Sequence, residues 1–337
     1  MTKIEHDGVA FFIDERKETL VKMCCAKTYA DVFIPHEFPN GQKITVLGNR
    51  FCLRCNGVYG TIPIDDRIKN VYPNAFENAS VVKVVWPSSC HIIPEKCFFG
   101  SNIRGITNIE HVETIETGAF SNSCILEINW PTKCHKIPKY CFSNSDIKKI
   151  TNIENVTNIE KGAFTLTAIE EFTWPSGCHV IPTDCFLGSS LRTLKNISEV
   201  TSIWPGAFQS TKIEHFTVPK GVTGIGASAF RECSALKSID LNDDIIHIGT
   251  AAFASTSIGS VRWPASCNKI PLGCFMCSEI RRISNLDNVV EIESKAFAGA
   301  KLKKIDLSSS HIEIIAEDAF EGLDVDMTMP YYCNAIA

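Results

Sequence analysis

Sixteen cysteines and nine histidines in 337 residues are the side chains best able to bind a metal, form disulfides or act as nucleophiles. Eight of the cysteines form four pairs with a fixed gap, Cys90/Cys97, Cys134/Cys141, Cys178/Cys185 and Cys267/Cys274, and His91, His135 and His179 directly follow a first member. Structural zinc sites draw on two close pairs such as C-x2-C, and Cys52-x-x-Cys55 is a single pair of that kind. Sister positions decide between chemistry and packing. Where the first cysteine of a pair stands, other copies carry Val112, Val156, Val200, Val222 or Val289; where the second stands, they carry alanine. A position that accepts Cys, Val or Ala selects a small apolar side chain, so these thiols are expected to be buried, reduced and metal-free. Cys90 and Cys97 lie in one short stretch, so their mutual oxidation stays open. The histidines recur every 44 residues. On stacked strands that puts them about 10 Å apart, too far to share one ion, so outward-facing polar residues are expected.

These slots belong to a repeat. Phenylalanine returns every 22 or 23 residues: Phe76, Phe98, Phe120, Phe142, Phe164, Phe186, Phe208, Phe230, Phe253, Phe275, Phe297 and Phe320, with Phe51 as a degenerate first copy. Isoleucine stands five residues before most of them, and the residue just before each is Ala or Cys. A period in the twenties means one coil per copy, each too small to bury its own apolar face. Segments such as Ile125-Leu-Glu-Ile-Asn-Trp130 read as short strands, stacked into one parallel sheet. The Ala-Phe pair is expected in a single helical turn.

The pattern resembles the BspA-like leucine-rich repeats of bacterial surface antigens and anaerobic protist proteins. It is carried by Leu236-Lys-Ser-Ile239-Asp-Leu241…Ile245-Ile-His-Ile248-Gly249-Thr-Ala-Ala252-Phe253 and by its counterparts over residues 31–330. The resemblance implies a β-rich repeat solenoid, a right-handed leucine-rich-repeat superhelix of about 12–13 turns with one parallel sheet face and short helical turns. It also implies protein binding, with no named ligand.

Copies alternate in kind. One reads Trp-Pro-x-x-Cys-(His/Asn)-x-Ile-Pro-x-x-Cys-Phe and starts at Trp86, Trp130, Trp174 and Trp263; the other starts at Asn108, Asn152, Asn196 and Asn285. The alternation lapses at Val218, where a tryptophan is due. Strand charges alternate too, with Arg104, Lys148, Lys149, Arg192, Arg281 and Arg282 on one kind and Glu127, Glu170, Glu171 and Glu214 between them. Opposite charges on neighbouring strands are expected to pair. A formal net charge of −5 and the lack of a continuous basic stripe argue against nucleic acid. No run reaches the roughly 18 apolar residues of a membrane span.

Residues 1–30 fall outside the repeat and read as a hairpin cap, and residues 331–337 as a short tail. So thin a terminal cap leaves end-to-end self-association open. No catalytic motif, cofactor fingerprint or metal signature is present, so the expectation is a non-enzymatic scaffold that binds a protein partner through its sheet face. The alternative is a cell-surface antigen or adhesin. No signal peptide is legible, which makes cytoplasmic the default expectation and the cell surface, by an unconventional route, the alternative. The residues expected to specify a partner lie where the repeat lapses: His215, Thr217, Ser238, Asp240, Arg262 and Arg282.

Overall fold

Three short stretches build each coil: a three-residue front strand, a two-residue side strand and a tight turn holding the phenylalanine. The computed structural model describes residues 2–6, 9–25, 34–35, 37–38, 40–52 and 60–331. It divides into two compact units, Met1–Ile169 and Glu170–Ala337, each a β-solenoid of stacked coils.

In the first unit the front strands Lys83–Val85 and Gly105–Thr107 run parallel in register, as do Glu127–Asn129 and Lys149–Thr151. Each strand points its middle residue inward and its flanking residues to solvent. Phenylalanine rings stack along the interior: Phe76, Phe98, Phe120, Phe142 and Phe164 follow one another at centroid separations of 5.2, 5.4, 5.6 and 6.0 Å, with planes within 13° of parallel. The second unit repeats this ladder from Phe186 to Phe320, at 5.1–5.9 Å. Within each unit the rings of successive coils touch, which is how coils too small for a core acquire one.

The phenylalanine turn is not helical. Residues two before and two after Phe adopt positive φ, for example Lys96 at 51° and Gly100 at 66° around Phe98. Left-handed residues at this spacing interrupt an α-helix and redirect alternate N–H groups. Lys96, Phe98 and Gly100 donate to the carbonyls of Thr117, Ala119 and Ser121 in the next coil, while Cys97, Phe99 and Ser101 donate to carbonyls within their own turn.

The front sheet is not continuous either. In the first unit Thr61–Pro63, Lys83–Val85 and Gly105–Thr107 form one sheet and Glu127–Asn129 with Lys149–Thr151 another; the second unit has four two-stranded front sheets. Four of the pairings join a Trp-type front strand to the Asn-type strand after it, so the two-coil period of the sequence is also the period of strand pairing. A capping asparagine explains the join. Asn108, Asn152, Asn196 and Asn285 sit at φ 59–64°, and each donates its side-chain amide to the carbonyl of the preceding tryptophan at 2.6–2.8 Å. Asparagine tolerates the left-handed region better than most residues and can bond locally from it.

All four tryptophans of the motif are buried, and each indole N–H reaches a cysteine carbonyl four residues on, at 2.8–3.1 Å. Where Val218 replaces tryptophan, Phe216 fills the layer, 5.1 Å from both Phe208 and Phe230. The equivalent slot holds Phe172 beside buried Trp174, so a phenylalanine here accompanies either residue.

At the N-terminus β2 (Val9–Asp14) and β3 (Thr19–Cys25) pair antiparallel, joined by a 3-10 turn, and β1 (Thr2–His6) adds a third antiparallel strand. β3 then pairs parallel with Val46–Leu47, the first side strand, so this sheet is continuous with the first coil. Phe11, Ile13, Leu20 and Met23 are buried there. At the other end Asp326–Thr328 is a front strand paired with Lys304–Asp306; residues 332–337 lie outside the described residues.

Candidate functional site: the front-strand face

The paired cysteines lie inside the coils as free thiols, and all eight are buried. Burial pushes the Cys90 thiol up to about 11 and raises Cys97, Cys141, Cys185 and Cys274 well above the usual thiol range. Thiols held protonated in this way are poor nucleophiles and poor metal ligands. Cys52 is also buried, while Cys55 lies outside the described residues. His91, His135 and His179 are exposed, and each hydrogen-bonds through Nδ1 to a carbonyl of the following coil, at 3.2, 2.9 and 3.0 Å. Carbonyls only accept, so Nδ1 carries the proton in each case. Among the described residues no three His, Cys, Asp or Glu side chains converge as a metal site.

The six residues singled out in the sequence are exposed on front strands of the second unit, on two separate sheets. His215, Thr217, Ser238 and Asp240 share one sheet and bond to each other: His215 Nδ1 lies 2.7 Å from Ser238 Oγ, and Thr217 donates its hydroxyl to Asp240 at 3.0 Å. Arg262 and Arg282 share the other. Arg262 forms a two-pronged ion pair with Asp243, at 2.8 and 3.1 Å, and Asp243 also accepts the Ala265 N–H. Arg282 has no ion-pair partner among the described residues. Elsewhere in this unit the expected cross-strand pairing is realised, with Lys195–Glu171 at 2.8 Å, Lys237–Glu214 at 3.0 Å and Arg192–Glu170 at 3.8 Å.

The front face of the first unit differs. Glu127 and Lys149 face each other in register, yet they do not close to an ion pair, and neither Lys83 nor Arg104 has an ion-pair partner among the described residues. These charges surround a groove of about 570 Å³ at the seam between Gly105–Thr107 and Glu127–Asn129. A second depression of about 270 Å³ continues it past Thr107 and Asn129 toward Glu110 and Thr132. Gly105 makes the opening. Its row neighbours are Lys83, Glu127 and Lys149, and a Cβ placed on Gly105 would meet nothing within 4 Å. The lone glycine in a row of charged side chains was legible in the sequence. Half-exposed Trp204 is a second feature that pattern reading passed over. It occupies the place of Glu116 and Glu160, whose carboxylates accept the Glu95 and Lys139 N–H groups.

No curated protein matches the chain. A leucine-rich repeat protein from Bacteroides ovatus has a similar fold, with a TM-score of 0.81 at 20% identity over 97% of this chain and 88% of that one. A leucine rich cell surface protein from Faecalibacterium prausnitzii gives 0.60 at 19% identity, covering 99% and 96%, and the pneumococcal vaccine antigen PcpA gives 0.51 at 13%, covering 97% and 98%. The BspA type leucine rich repeat region matches residues 69–193 and 201–325 in six copies. With most of its length accounted for by that match and by coils of the same construction, the chain belongs to the BspA-type leucine-rich repeat family.

Proposed function

We propose that this chain is a non-enzymatic scaffold that binds a protein partner through its front strands. The observation that carries this reading is the first unit's front face, where a groove is ringed by charged side chains without ion-pair partners among the described residues. Repeat scaffolds of this kind bind along their extended surfaces. On the second unit the patch of His215, Thr217, Ser238, Asp240, Arg262 and Arg282 is a further contact region, with Arg282 its most available charge.

The test is partner capture from native extract with two charge-altered proteins. One reverses Lys83, Lys149, Asp240 and Arg282 on the front strands; the other reverses Glu95 and Lys139, exposed on the phenylalanine arc. Loss of capture in the first alone supports the reading, and loss in the second alone overturns it. Arg262 is left out because its ion pair with Asp243 holds the neighbouring turn.

A second reading, a cell-surface antigen or adhesin, is favoured by the similarity in fold to the Faecalibacterium prausnitzii cell surface protein. Among the described residues no helix is long and apolar enough to cross a membrane. Fractionation of the native cell separates this reading from a cytoplasmic scaffold. End-to-end association remains the third arrangement, and sedimentation velocity over a range of concentrations reports it.

A further inference from the structure

Resting on the scaffold reading, we infer that the seam groove at Gly105 takes an extended acidic peptide segment of the partner. Lys83, Arg104 and Lys149 surround the groove against the single carboxylate of Glu127, which leaves a positive site on a protein of net charge −5. All four are exposed, and none is neutralised by an ion pair among the described residues. In the second unit, by contrast, Lys195, Lys237 and Arg192 are each paired with a glutamate one coil away. Cations left unpaired around a depression are available for carboxylates that arrive from outside, where charge complementarity sets both encounter rate and selectivity.

Shape argues for a peptide rather than a single small anion. The two depressions share Ile106, Thr107 and Asn129, so together they form one trough along the strand direction. The trough follows the chain from Arg104 to Glu110, and at about 3.3 Å per residue it accommodates an extended segment of roughly four to six residues. The cations stand at one end. Further along, Thr107 and Asn129 offer neutral polar groups, and the far end carries the exposed carboxylate of Glu110, which turns acidic residues away from that end; Asn129 Oδ1 already accepts the Thr151 hydroxyl at 3.0 Å, which leaves the Asn129 amide N–H groups to donate. The segment that fits carries its carboxylates at one end and neutral polar residues after them. The seam also follows from the fold. The strand containing Gly105 bonds back to Lys83–Val85 and its neighbour bonds forward to Lys149–Thr151, so the front sheet is interrupted at the groove.

The experiment is fluorescence anisotropy with the full chain and a labelled hexapeptide of three acidic residues followed by Ser, Thr and Val. A Lys-substituted hexapeptide and a sulfated oligosaccharide are run beside it. Gly105→Trp fills the groove at a residue with unstrained φ and open space above it, and Arg104→Glu reverses one cation without filling anything. The acidic peptide is expected to bind and to weaken about tenfold or more in each variant, with a steep salt dependence, while Lys139→Glu on the phenylalanine arc leaves it unchanged. No binding of the acidic peptide, binding indifferent to both variants, or oligosaccharide binding as tight and as sensitive to Gly105→Trp overturns the inference. If any of these holds while the native partner is still captured through the front strands, the inference fails and the scaffold reading stands. If capture ignores every front-strand substitution, the scaffold reading itself fails.

Discussion

Replacing Asn152 separates the two devices that join a Trp-type coil to its successor. Its φ of 61° is left-handed, and its amide donates to the Trp130 carbonyl at 2.7 Å. Asn152→Gly keeps the backbone at ease and removes only the bond, at a cost of about 1–2 kcal/mol for one lost hydrogen bond to a half-buried carbonyl. Asn152→Ala removes the same bond and keeps a Cβ in the left-handed region without the local polar bonding that lets asparagine sit there, adding about 1–2 kcal/mol relative to glycine. The order of stability is therefore wild type, then glycine, then alanine. Urea titration followed by far-UV circular dichroism gives that order, and amide exchange at Thr151 and Trp130 shows whether the loosening is local. An alanine variant as stable as the glycine variant would refute the strain argument; a glycine variant as stable as wild type would refute the bond.

Other consequences are testable in the same preparation. Phe142→Ala opens the ladder between Phe120 and Phe164 and is expected to cost about 3–5 kcal/mol in denaturant melts. Cys141→Ala, which copies the sister coils, is expected to cost about 1 kcal/mol or less. Alkylation of the native protein followed by mass spectrometry should label exposed Cys277 while Cys97, Cys141, Cys185 and Cys274 stay protected until unfolding. Asp243 is held below the usual carboxylate range by the Arg262 guanidinium and the Ala265 N–H. A depressed folded pKa stabilises above the unfolded value near 4 and is lost as pH falls through the folded one. Asp243→Asn should accordingly lower the melting temperature at neutral pH and match wild type in strong acid.

The stacking of coils was legible because one large ring must recur wherever a unit cannot close its own core, and Phe76 to Phe320 announce that period directly. The burial of the paired cysteines was legible by the same logic, since Val112 and Ala119 occupy equivalent places. The interruptions of the front sheet were not. They depend on which strand an asparagine amide reaches from a left-handed backbone, and Asn108 reads in sequence only as a polar residue at a strand end. The phenylalanine turn was misjudged as helical for a related reason: Lys96, Tyr140 and Asp184 carry no mark of the positive φ that they adopt. At the candidate site, the lapse of tryptophan at Val218 drew attention to His215 and Asp240, yet their side chains bond to Ser238 and Thr217 on the paired strand. Gly105 was the quieter departure, an absence of side chain in a charged row, and it is where the surface opens.

Amide hydrogen exchange of the chain with and without its captured native partner tests the central claim most directly. Protection confined to front-strand segments, including Gly105–Thr107 and Glu127–Asn129, is the predicted result. Protection confined to the phenylalanine turns or the side strands, with the front strands unchanged, would contradict it.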